Sequence, residues 1–132
     1  MHFDETDIKH IMQSFLDSIY SVSDLEYQQR VWVEGKGPEC DSYDEFCNHF
    51  FVEGIDIIHN YKDFGITETQ YTMLTALQTE LEKFNEFRRN SESITDYLPK
   101  GFIKTPEWKK IVALAQEILK AFHYQKKNHT SL

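Results

Sequence analysis

Apolar residues along this chain recur at steps of three and four positions, the period of an α-helix, and nowhere sustain the alternation of a half-buried strand. Ile8, Ile11, Met12, Phe15, Leu16 and Ile19 mark one face of a first helix. The acids Asp4, Glu5 and Asp7 at its start suit the positive end of the helix dipole. "SDLEYQQR" predicts a short second helix capped by Ser23 or Asp24. The β-branched "VWV" that follows fits a short strand or an extended stretch and is read as loop. Ser42 with Glu45 three residues on has the form of a capping box. From there Phe46, Phe50, Phe51, Ile55 and Ile58 continue at helical spacing toward Tyr61, and Gly54 marks a weak point where that helix can kink.

Gly65 punctuates the next restart, with Thr67 as N-cap and Gln70 completing a second capping box. Tyr71, Leu74, Leu77, Leu81 and Phe84 form the buried stripe of a long helix, which Phe87 can extend. Residues 90–104 read mostly as loop with one turn near Ile94 to Leu98. "TPEW" then places a Thr105 cap before Pro106 in the first turn, where a missing N–H costs nothing. Trp108, Ile111, Val112, Ala115, Ile118, Leu119 and Phe122 face inward on the last helix, with Lys109, Lys110, Lys120, Lys126 and Lys127 on the wet side. Residues 127–132 read as a fraying tail. The expectation is an all-α fold, one domain over residues 1–132, built as a bundle of about four long amphipathic helices plus short helical turns.

Composition narrows the class. The chain has 132 residues, 40% of them hydrophobic, with five glycines and three prolines. That suffices for a core without metal or disulfide support. The first ten residues, "MHFDETDIKH", lack the basic start and apolar run of a secretory signal, and no stretch reaches transmembrane length, so a cytoplasmic protein is expected. Cys40 and Cys47 read as reduced thiols. The net charge of −8 is unevenly spread. Residues 24–68 hold eleven acids against three bases, whereas residues 69–132 hold seven acids against ten bases. An acidic middle disfavours direct contact with nucleic acid or an anionic membrane and favours a basic protein partner.

Candidate chemistry is sparse. His49 and Glu53 lie one turn apart, and Glu53, Asp56 and His59 follow at three-residue steps that can hold a divalent metal. A ferritin-like centre needs matching Glu-x-x-His sets from several helices, and no other helix here offers one. "GKGPEC" lacks the end of a phosphate-binding loop, and no dinucleotide fingerprint or nucleophile elbow is present. Cys47 falls beside the Phe46, Phe50, Phe51 stripe and reads as a core thiol, while Cys40 among carboxylates makes a poor nucleophile. No catalytic residue, cofactor or metal site is assigned, and the chain is read as a non-enzyme. A metal-dependent enzyme is the least favoured alternative.

The stretch "RVWVEGKGPECDSYDE" is the oddest in the chain, running from alternating valines through two glycines and a proline into carboxylates with no nearby cation. Glu34, Glu39, Asp41, Asp44 and Glu45 surround the aromatic pair Trp32 and Tyr43. Such a mixture supplies charge steering and large contact residues of low entropy. It is the first candidate partner surface, with Trp32 either an anchor or part of the core. The segment carrying Glu53, Asp56 and Asp63 is the second.

Together, "RVWVEGKGPECDSYDE", "NYKDFGITETQYTML" and "KTPEWKKIVALAQEILKAF" resemble the small helical immunity proteins of bacterial contact-dependent growth inhibition and related polymorphic toxin systems, over most of the chain from Tyr27 to Phe122. The resemblance implies an antitoxin in the cytoplasm that binds and blocks a cognate toxin domain. The all-α members resemble partners of RNase A-like or EndoU-like nucleases, whose basic clefts an acidic inhibitor can occupy. It carries no motif that assigns contact residues. The alternative is an acidic helical scaffold or regulator for another basic protein.

Overall fold

The computed structural model describes residues 4–91 and 97–126, and these form an all-α fold with no strand among them. Helix α1 spans Glu5–Ser23, with Asp4 accepting from the Asp7 N–H as its cap. Asp24 caps α2, Leu25–Tyr27, by accepting from the Tyr27 N–H. The chain then continues without a break as a π-helical turn over Gln28–Val33. The expected "VWV" loop is therefore helical. Local β preference loses to tertiary packing, because Val31 is buried and Trp32 lies against three other rings.

Helix α3 covers Tyr43–His49, a second π-helical turn covers Phe50–Gly54, and α4 covers Ile55–His59. The Ser42 hydroxyl accepts from the Glu45 N–H, so one of the two bonds of the expected box is recorded. Of the expected stripe, Phe46, Phe50 and Ile58 are buried, while Phe51 and Ile55 are only half-buried and Gly54 and Ile57 take the buried positions beside them. Gly54 allows this, since a Cβ there would stand 2.9 Å from Phe15 Cε1. A 3₁₀ turn, Tyr61–Phe64, leads through left-handed Gly65 into α5, Glu68–Arg89, whose Thr67–Gln70 capping box is complete.

Helix α6, Pro99–Phe102, replaces part of the expected 90–104 loop; the turn expected near Ile94 lies largely outside the described residues, as does the tail 127–132. Helix α7, Pro106–Ala121, starts as expected at Thr105 and Pro106. It packs between α1 and α5. Leu74, Leu77, Leu81, Trp108, Ala115 and Ile118 are sealed from solvent along these contacts, while Phe87 stays partly exposed. The last carbonyls of α1 are capped by side chains: Ser23 Oγ donates to Tyr20 O, Gln28 Nε2 to Ser21 O and Val22 O, and Gln116 Nε2 to Ser23 O. The α1 terminus is thereby tied to both the first π-helical turn and α7.

Candidate partner-binding groove

The acidic loop is built into the fold more than it is presented to solvent. Both oxygens of Glu39 accept from the Arg30 guanidinium, at 2.7 and 2.8 Å, and the same guanidinium donates to Lys36 O at 3.1 Å. That pairing holds the Glu39 carboxyl down to about 2. Glu34 meets Lys36 at 2.8 Å and Gln29 at 3.1 Å, which also lowers its carboxyl. The turn closes so tightly that a Cβ at Gly37, where φ is +104°, would run into Arg30. The expectation of carboxylates without a cation is corrected accordingly.

Asp41 accepts from the Trp32 indole at 3.1 Å and from the Tyr27 hydroxyl at 2.8 Å. Trp32 itself is half-buried against the core, with its ring centroid 5.7 Å from Tyr43 and 5.9 Å from Trp108. Tyr43, expected at the surface, is 1% exposed and donates to Asn85 Oδ1 at 2.7 Å. Burial pushes its phenol far above the usual range. These three residues therefore hold the loop to the helices. Asp44 lies 3.8 Å from Arg88, a buried guanidinium packed over the rings of Tyr43, Tyr97 and Phe102. Asp44 and Glu45 remain exposed.

The second acidic segment behaves differently. Glu53, Asp56 and Asp63 all line one groove of about 650 Å³ that runs between α1 and the α3 to 3₁₀ stretch. Its apolar walls come from Ile11 and Phe15 on one side and Ile57 and Phe64 on the other, and among the described residues no lysine or arginine lines it. The π-helical turn sits in its wall and carries Glu53, whose carboxylate is 3.1 Å from His49 Nδ1. Among the described residues no side-chain hydrogen bond or ion pair engages the Asp56 or Asp63 carboxylate. Such π-turns recur at functional sites.

Comparison with known protein families, with characterised proteins and with solved structures finds no match. The groove must be read from its own chemistry. Among the described residues no group of three or more histidines, cysteines, aspartates or glutamates is placed to hold a metal ion. The His49, Glu53, Asp56 and His59 spacing thus does not converge. Cys47 is half-buried, with its thiol pushed up by burial and 3.7 Å from Asn85 Nδ2; Cys40 is exposed in the loop. No described helix is long and apolar enough to cross a membrane. What the sequence leaves out is the α1 wall: Ile11 and Phe15 read only as core, and nothing in their spacing says which helix they face.

Proposed function

We propose that this chain is an inhibitory binding protein of the immunity type, acting in the cytoplasm on the basic cleft of a nuclease domain, with the groove between α1 and α4 as its contact face. One observation carries this reading: three carboxylates border an apolar groove that, among the described residues, no lysine or arginine lines. Loop acids that already hold Arg30 and Lys36 have little charge left to offer, whereas Asp56 and Asp63 meet no cation among the described residues. An acidic face of this kind would attract a basic RNA-binding cleft and repel the RNA itself.

The test is inhibition by the purified chain of a basic ribonuclease domain encoded next to it. RNA cleavage should fall with a one-to-one equivalence, and the block should weaken as RNA is raised. Binding without loss of cleavage would favour the scaffold or regulator reading, and absence of binding would remove both.

A further inference from the structure

The shape of the groove specifies its occupant more closely than its charge does. A volume of about 650 Å³ lies within the roughly 300–1,000 Å³ of sites that enclose most of a ligand, and exceeds what one lysine or arginine side chain fills. Partly exposed Ile11 and Phe64, over a floor of buried Phe15 and Ile57, offer apolar surface that gains only from an apolar occupant. A lone cation seated there would lose hydration over hydrocarbon without return. A purely apolar occupant would strip water from three carboxylates and give them no counter-charge.

The charge is also one-sided. Glu53, Asp56 and Asp63 all belong to the wall formed by the second π-turn, α4 and the 3₁₀ turn, while α1 contributes His10 and Ser14 to the rim and no carboxylate. An extended peptide that bound by strand addition would need a sheet edge, and the described residues contain no strand. A helix satisfies its own backbone. Building on the reading of this groove as the contact face, we propose that it receives an amphipathic helical segment of the partner. That segment sets one or two apolar anchors against Ile11 and Phe64 and turns an edge of lysines or arginines toward Asp56 and Asp63.

The test uses a synthetic probe that requires no nuclease. A fluorescent amphipathic helix of leucine, alanine and lysine is titrated onto the intact protein, beside one version with its leucines replaced by serine and another with its lysines replaced by glutamate. The parent peptide should bind saturably, and each altered peptide should lose about tenfold or more in affinity, because burial and charge contribute separately. Asp56→Lys should cause a similar loss. Ser14→Trp, which fills the groove from exposed α1 without changing charge, should do so too, with circular dichroism confirming that both variants stay folded. Glu45→Lys, in the first turn of α3 and outside the groove, should leave the affinity unchanged.

Equal binding of the serine version would show a merely electrostatic surface and overturn the proposal. So would failure of the parent peptide to bind, or indifference to both groove variants. Dimers that the peptide dissociates would make a second copy of this chain the occupant instead of a foreign helix. Peptide capture and inhibition of RNA cleavage are separate readouts, so capture without inhibition would sink the inhibitor reading and leave the groove assignment standing.

Discussion

The indole N–H of Trp108 donates to Gln28 Oε1 at 2.8 Å, joining residues 80 positions apart in a site where both side chains are fully buried. Gln28 spends its amide N–H groups on the Ser21 and Val22 carbonyls at 2.9 and 2.8 Å, so one side chain closes the end of α1 and fixes α7. Polar groups this deep are stabilising only while every partner is met.

Gln28→Leu should therefore destabilise the fold by about 2–4 kcal/mol, since it strands a buried indole donor and two carbonyls at once. Trp108→Phe should cost less at this bond because Gln28 keeps its two donor contacts, although the smaller ring adds a packing loss. Urea unfolding of both single variants and the double variant measures the coupling. Additive losses would show that the pair does not act as a unit.

Gly54→Ala tests the packing that sets one wall of the groove. The added methyl would press on the Phe15 ring at 2.9 Å, and a loss of about 1–3 kcal/mol is expected from the forced shift. Unchanged stability would mean that α1 and the π-turn are not held this closely.

Much of the fold is legible in the sequence because apolar periodicity and capping chemistry are local. Thr67 with Gln70, and Thr105 with Pro106, announce helix starts that the structure places at those residues. What was not legible is nonlocal. The "VWV" stretch becomes helical through its contacts with Tyr43 and Trp108, and nothing near Gln28 in the chain signals its buried bond to Trp108. Nothing local marks Arg88 either, which aromatic rings enclose near the end of α5. For the site, the second segment's acids were visible, but the loop's acids looked equally available. Only the positions of Arg30, Lys36 and Trp32 in space separate the two.

Alkaline titration provides an independent check on the buried hydroxyls. Tyr20 is pushed up to about 12, first by partial burial and then by its hydrogen bond to Asp24; Tyr27 and Tyr124 are raised further by burial and by Asp41 and Asp17. Above pH 10 the unfolded chain loses phenolic protons that the native chain retains, so this contribution to stability is full below pH 10 and falls as pH rises. Phenolate absorbance should rise in two phases, the second coinciding with loss of helix. All seven tyrosines ionising in one reversible step, with helix intact, would contradict the buried assignments.

The two thiols should differ in rate. Cys40 is exposed, while Cys47 is screened by the core and its thiol is raised by burial. A disulfide reagent should label Cys40 rapidly in the native protein and Cys47 only on unfolding. Equal rapid labelling would place Cys47 at the surface.

The central claim is that the groove, not the loop, meets the partner, and charge reversal separates the two most directly. In one variant Glu53, Asp56 and Asp63 become lysine; in the other Glu34, Asp44 and Glu45 do, residues that lie off the buried stripes. Inhibition of RNA cleavage by a basic ribonuclease domain is measured with each across a range of salt. The account predicts that the groove variant loses inhibition and the residual binding loses its dependence on salt, while the loop variant inhibits nearly as well as the parent. Full inhibition by the groove variant together with failure of the loop variant would contradict it and return the contact surface to the stretch between Arg30 and Glu45.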